Sequence, residues 1–95
     1  MRFEWDEDKN ESNWRRHHVK FETAAHALFD PFAIDELDRD IASESRWRMI
    51  DLLFIVYAIE ENHDQIETIR IISARYASRS ERRRYETAED RALRT

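Results

Sequence analysis

Residues 67–85, with the sequence ETIRIISARYASRSERRRY, carry the clearest secondary-structure pattern in the chain. Residues 67–74 alternate between two sides and are rich in β-branched residues, which predicts a strand. One side carries Thr68, Arg70 and Ile72, and the other carries Ile69, Ile71 and Ser73. Ser78, with Glu81 three positions later, matches a capping box and predicts a helix to about residue 93. A strand should therefore lead directly into a closing helix.

The residues before this stretch predict the remaining elements. Residues 3–5 favour a short strand, and Asp6 is placed to cap a first helix ending near His17. A second helix over residues 22–29 should end at Asp30-Pro31, because the residue before proline avoids the helical region.

The middle of the chain predicts strands. Residues 32–37 alternate weakly and precede a polar loop over 39–45, the apolar run 47–59 favours strand, and 60–65 form a polar turn. The predicted class is α+β, with two N-terminal helices, a three- to four-stranded antiparallel sheet and a C-terminal helix. The core should include Trp5, Trp14 and Trp47.

Length and composition restrict the function classes. A chain of 95 residues should form a single domain over residues 1–95. It has no cysteine and no glycine, which excludes disulfides, thiolate zinc sites and glycine-rich phosphate loops. No uncharged run approaches the roughly 20 residues that span a bilayer. We expect a cytoplasmic protein with no cofactor and no membrane partner.

Charge is distributed unevenly along the chain. The net charge is −5, but residues 1–65 carry eight basic and sixteen acidic side chains, whereas residues 66–95 carry eight arginines and five acids. Residues 70–85 hold six arginines against Glu81 alone. Because salt limits electrostatic reach to about 10 Å, a polyanion could bind there although the whole chain is acidic.

Short motifs in a fixed order resemble the BrnT toxins of bacterial toxin-antitoxin pairs. In the N-terminal half these are residues 3–6 (FEWD), Lys9, Asn13, His17, residues 21–22 (FE), Ala25 and residues 30–31 (DP). In the C-terminal half they are residues 46–47 (RW), 53–57 (LFIVY) and 70–75 (RIISAR), then Arg79, Glu81, Arg82 and Tyr85.

The resemblance implies a RelE-like fold and cleavage of RNA without a metal. It also implies a BrnA-like antitoxin of the ribbon-helix-helix type. This antitoxin would form a hetero-oligomer with the toxin, and only the antitoxin would contact operator DNA.

The chain departs from the family pattern in two places. His18 stands where the family has glycine, so a residue with a Cβ must adopt a backbone shape that glycine favours. Residues 46–59 also lack the expected glycine-containing hairpin turn, as if residues were missing around 49–52. We therefore expect one strand to be shortened or fused to its neighbour.

Metal-free RNA cleavage needs a base for the 2′-hydroxyl, positive charge for the phosphorus oxyanions and an acid for the leaving group. Arg70, Arg75 and Arg79 are the candidates for charge, with Arg75 and Arg79 converging once the strand ends. Glu60, Lys9 and His17 are the candidates for proton transfer, since carboxylate and amine groups can serve and histidine changes charge nearest neutral pH. The alternative for His17 is that it simply caps the first helix or packs against its end.

The last helix offers RNA-binding candidates, namely Arg82, Arg83 and Tyr85. Tyr85 could stack on a base or pack against the sheet, and Arg82 to Arg84 could be an ordinary solvated helix face. Glu22 and His26 are too few ligands for a metal site, so no metal is expected.

Two other functions compete with the ribonuclease toxin. A catalytically impaired homologue could act only as an antitoxin-binding corepressor, a reading motivated by His18 and the missing turn. A non-cleaving RNA-binding module is the third, and it would lose RNA affinity steeply with salt without forming products.

Overall fold

A computed structural model describes residues 1–41, 44–61 and 66–94. It contains three helices, α1 (Glu7–His17), α2 (Phe21–Ala27) and α3 (Arg79–Arg94). It also contains five strands, β1 (Arg2–Glu4), β2 (Ile34–Ile41), β3 (Glu44–Ile50), β4 (Leu53–Glu61) and β5 (Glu67–Tyr76).

The five strands form one sheet in the order β1-β5-β4-β3-β2. Strands β2 to β5 are antiparallel neighbours, whereas β1 pairs in parallel with β5. The predicted α+β class and its three helices are confirmed. The predicted sheet was too small, because the short first strand joins it beside residues 68–70.

The helices α1 and α2 pack on one face of this sheet and enclose the core. Its buried members come from α2, from β3, β4 and β5, and from Val19 between α1 and α2; the largest include Phe21, Met49, Ile55 and Ile71. None of the described helices has the length and hydrophobicity that a membrane-spanning helix needs.

Two asparagines, rather than a tryptophan, attach α1 to the protein. Trp14 was predicted to lie in the core, but it is 43% exposed. Asn10 and Asn13 are buried instead, and Asn10 accepts a hydrogen bond from the Phe21 N–H at 2.9 Å. Polar contacts replace apolar ones because α1 offers almost no apolar side chains to bury.

The apolar run 47–59 forms two full strands joined by a tight turn, so the prediction of a shortened or fused strand was wrong. That turn contains no glycine and is held by hydrogen bonds of Asp51. Its carboxylate accepts a hydrogen bond from the Leu53 N–H, and its own N–H donates to the Leu53 carbonyl at 2.9 Å. Burial raises the pKa of this carboxyl, and the Leu53 hydrogen bond opposes that effect.

The predicted loop over residues 39–45 was also wrong for most of its length. Strand β2 continues to Ile41 and β3 begins at Glu44, with Asp40 opposite Ser45 in register. These residues pair across the two strands despite their polar composition, because polar and charged side chains are common on the edge strands of sheets. The predicted polar turn begins later than expected, because Glu60 and Glu61 belong to β4; residues 62–65 lie outside the described part.

The backbone at the end of α1 adopts the conformation expected where His18 stands in place of the family's glycine. His18 has φ 56° and ψ 33°, the left-handed conformation, and its N–H donates to the Trp14 carbonyl at 2.9 Å. It is the one residue with positive φ among those described. At the other end, the Asp6 side chain caps α1 as predicted, accepting from the N–H groups of Asp8 and Lys9.

Candidate active site

A β-bulge in β5 determines how its arginines face. Val56 pairs with Ser73 and Tyr57 pairs with Ile71, so Ile72 is an extra residue without a cross-strand partner. Such a residue shifts the alternation of side chains by one position. Arg70 and Arg75, five positions apart, are thereby placed on the same face of the sheet, opposite the face that α1 and α2 cover. We call it the arginine face.

Contacts to β4 confirm this placement. Glu60 and Phe54 share one face of β4 by simple alternation, because the extra residue lies in β5. The Glu60 Oε1 lies 3.6 Å from the Arg70 Nε, and the Arg75 guanidinium lies over the Phe54 ring, 4.2 Å from its centroid. Ser73, opposite Val56, falls between the two arginines on the same face.

Arg75 joins the end of β5 to the start of α3. Its two terminal nitrogens donate to the Glu81 carboxylate at 2.9 and 3.1 Å, and one of them also donates to the Tyr76 carbonyl. These contacts use three of the five N–H donors that a guanidinium carries. The pair with Arg75, together with the hydrogen bonds from Ser78, lowers the pKa of Glu81 to about 2.

Glu81 also completes the predicted capping box. The Ser78 N–H donates to Glu81 at 2.7 Å, and the Glu81 N–H donates to the Ser78 Oγ at 3.3 Å. Arg79 is the first residue of α3 and is exposed at the same end of β5 as Arg75. The predicted proximity of Arg75 to the helix start is therefore present, with Glu81 as its anchor.

Lys9 and His17 lie away from Glu60, in a cleft of about 170 Å³ between α1 and β5. We call it the α1–β5 cleft. Its lining residues are Lys9, Ser12, Asn13, Arg16, His17, Ile72 and Ser73. Because Ser73 also belongs to the arginine face, the cleft opens beside that face.

Asn13 forms the floor of the α1–β5 cleft. Its amide pairs with the backbone of Ala74, donating to the carbonyl at 2.7 Å and accepting from the N–H at 3.2 Å. It also donates to the Val19 carbonyl at 2.9 Å. This side chain occupies the edge of β5 where β1 has already ended, and so fixes α1 against the bulge.

The candidates on α3 divide into two groups. Arg82 and Arg83 are exposed, whereas Arg84 pairs with Glu36, which also pairs with Arg48. Interaction with the Asp30 carboxylate, together with burial, raises the pKa of the Tyr85 phenol to about 12. The tyrosine thus connects α3 to the segment that follows α2.

The sequence did not reveal that Ser73 and Arg16 line one cleft, nor that Glu81 is the partner of Arg75. The spacing of residues 9, 12, 13, 16 and 17 on one helical face could have indicated the cleft side of α1. In the described residues, no three His, Asp or Glu side chains group as a metal site requires.

A family model described as the ribonuclease toxin BrnT of type II toxin-antitoxin systems matches residues 5–81. The chain belongs to the BrnT family. Membership makes it a ribonuclease toxin with an antitoxin as partner. The matched BrnT region includes the bulge, the α1–β5 cleft and the Arg75–Glu81 pair, and it ends before Arg82, Arg83 and Tyr85. No curated protein matches the chain.

Proposed function

We propose that this BrnT chain cleaves RNA without a metal ion, by attack of a ribose 2′-hydroxyl on the neighbouring phosphorus. The observation that supports the proposal is the common placement of Arg70 and Arg75 on the arginine face, with Glu60 3.6 Å from Arg70. Two guanidinium groups on one surface can bind the non-bridging oxygens of a phosphodiester and stabilise the charge that develops there.

In the proposed reaction, Glu60 accepts the proton of the 2′-hydroxyl while the 2′-oxygen bonds to phosphorus. The bond from phosphorus to the 5′-oxygen then breaks, and the 5′-oxygen takes a proton from Lys9 or His17 in the α1–β5 cleft. The products are a 2′,3′-cyclic phosphate and a 5′-hydroxyl. The proposed base lies on β4 and the proposed acids lie on α1, so two separate groups are available for the two proton transfers.

Arg75 serves this reaction through the donors that Glu81 leaves unused. A guanidinium fixed by a bidentate carboxylate and an aromatic ring loses little conformational freedom when it binds phosphate. Arg79 at the start of α3 adds positive charge and the helix N-terminal amides favour an anion. Arg82, Arg83 and Tyr85 extend the RNA contacts along α3.

The proposed partner is a BrnA-like antitoxin of the ribbon-helix-helix type, which contributes the contact to operator DNA. The two complete strands joined at Asp51 remove the main reason for an impaired homologue, because the expected damage to the sheet is absent. The corepressor hypothesis then keeps only His18 as its motive, and His18 adopts the left-handed conformation that the family's glycine would favour.

The experiment that tests the function uses protein freed of antitoxin and shown to be folded by circular dichroism. It is incubated with RNA in excess EDTA, and the product ends are identified by mass spectrometry. We expect 2′,3′-cyclic phosphates, and we expect Glu60→Gln to cut at least tenfold more slowly than the control Glu86→Gln. Metal-dependent cutting, linear 3′-phosphates as first products, or no cutting by the wild type would each overturn the proposal.

Growth on expression of the chain alone separates the alternatives. Arrest is expected for the wild type and a weaker effect for Arg75→Ala. Normal growth with the folded wild-type chain would favour the corepressor reading.

A further inference from the structure

We infer that the α1–β5 cleft is a phosphate-binding subsite, which holds an RNA backbone phosphate next to the one that is cleaved. The inference rests on the proposed function for the identity of the ligand. It assigns Arg16 and Ser73, which the reaction above does not use, to substrate binding.

Charge is the first observation that supports the subsite. Among the described residues that line the cleft, Lys9, Arg16 and His17 are basic and none carries a carboxylate. The neighbouring hollows along α1 are different, since one is lined by Glu7, Asp8, Glu11 and Glu22 with Lys20, and another by Asp8, Glu11 and Arg15. In a chain of net charge −5, a concave site with basic side chains and no acids is suited to an anion.

The second observation is that Arg16 and Lys9 are available to bind a ligand. Arg15 forms an ion pair with Glu11, one helical turn before it. Within the described residues, Arg16 and Lys9 have no carboxylate within ion-pair distance, although α1 is rich in acids. The sequence thus places the unpaired basic side chains on the cleft side of the helix, where they can bind a ligand.

Rigidity and position provide the third observation. Asn13 is 8% exposed and its amide groups bond to the Ala74 and Val19 backbone, so the cleft floor is fixed before any ligand binds. Ser73 lines the cleft and also lies between Arg70 and Arg75 on the arginine face. A strand of RNA whose scissile phosphate lies at the arginines therefore has the cleft beside it for an adjacent phosphate.

The subsite is tested by binding rather than by cleavage. The probe is a short RNA with 2′-O-methyl groups throughout, which cannot undergo the attack, and affinity is measured by fluorescence anisotropy at several salt concentrations. The variants are Arg16→Ala and Arg15→Ala, which remove the same charge from adjacent positions on α1. Both positions are exposed, so both variants should fold, which circular dichroism checks.

We expect Arg16→Ala to weaken binding by about three- to tenfold and to reduce the salt slope by about 0.7, the value for one phosphate contact in a single strand. Arg15→Ala should change affinity by less than about twofold. Equal losses in the two variants would show a general charge effect and overturn the subsite. Loss of affinity for an acidic peptide, with RNA binding unchanged, would overturn it in favour of a protein interface.

The two proposals can fail separately. If the wild type leaves unmodified RNA uncut but Arg16→Ala still weakens binding as expected, the cleavage proposal fails and the subsite stands. If the wild type cuts RNA and the two variants bind alike, the subsite fails and the cleavage proposal stands.

Discussion

Arg70 and Arg75 share one face of the sheet, although five positions along a regular strand would direct them to opposite faces. The extra residue Ile72, which has no partner on β4, causes this arrangement. Bulges often re-aim side chains next to functional sites. Here the bulge places two guanidinium groups along β5 on a face that the packed helices α1 and α2 leave uncovered.

The first prediction concerns these two arginines. Arg70→Ala and Arg75→Ala should each lower kcat/KM for RNA cleavage by about 100-fold, because each removes a charged donor from the transition state. The double variant should lose less than the product of the two effects, since residues that act on one phosphate are not independent. Arg15→Ala is the control and should change kcat/KM less than twofold. Full activity in Arg70→Ala would show that the arginine face is not the site of cleavage.

Local sequence rules predicted the elements around the bulge but not the bulge itself. The capping box at Ser78 and Glu81 was confirmed, because it depends on atoms three residues apart. The alternation over residues 67–74 predicted β5, yet it assigned Arg70 and Ile72 to one side. Ile72 is apolar and β-branched, so it fits either face, and only pairing with β4 reveals that it is extra.

The placement of α1 could not be predicted for a different reason. Trp14 was the apparent anchor because it is the most apolar residue of the helix. The contact that fixes α1 instead joins Asn13 to Ala74, 61 positions later. A hydrogen bond between such distant residues produces no periodic pattern in the sequence. The α1–β5 cleft depends on this hydrogen bond, so the cleft could not be predicted either.

The second prediction uses the pKa of Glu81, which the structure lowers from 4.5 to about 2. A carboxyl whose pKa is lower in the folded state stabilises the protein above its unfolded pKa, and that stabilisation is lost as pH falls toward the folded pKa. Glu81→Gln should therefore lower the free energy of unfolding by about 2 kcal/mol at pH 7. The difference from wild type should shrink between pH 4.5 and about 2.

Urea unfolding at pH 7, 4 and 2.5 measures this effect. The control is Glu86→Gln on the same helix, which should change stability by less than about 0.5 kcal/mol. A difference between Glu81→Gln and wild type that stays constant with pH would contradict the ion pair with Arg75. Activity provides a second readout, because Arg75 should be less well positioned in the variant and kcat should fall more than KM rises.

The third prediction concerns Asp51 in the turn between β3 and β4. Its pKa is raised by burial, so ionising it costs stability as pH rises from 3.8 through the folded value. Asp51→Asn keeps an acceptor for the Leu53 N–H without the buried charge, and it should raise the free energy of unfolding at pH 7 by about 1 kcal/mol. Asp51→Ala should lower it by about 1–3 kcal/mol, because the buried N–H loses its partner.

Thermal and urea unfolding of the two Asp51 variants measure these changes in stability. At pH 7 we expect Asp51→Asn to be the most stable of the three proteins and Asp51→Ala to be the least stable, with the wild type between them. If Asn and Ala destabilise equally, the carboxylate itself, and not an acceptor at that position, holds the turn.

The last prediction concerns His18, whose φ of 56° is unfavourable for any residue with a Cβ. His18→Gly should raise the free energy of unfolding by about 0.5–1 kcal/mol. The relief of backbone strain is offset in part by the greater freedom of glycine in the unfolded chain, and by loss of the edge contact with the Trp14 ring. His18→Val should lower it by more than about 1 kcal/mol, because β-branched residues tolerate the left-handed region least.

Urea unfolding of both variants at pH 7 measures the difference. If valine and glycine are equally stable, the end of α1 can adopt another conformation, and the position of His17 at the α1–β5 cleft would not depend on this turn.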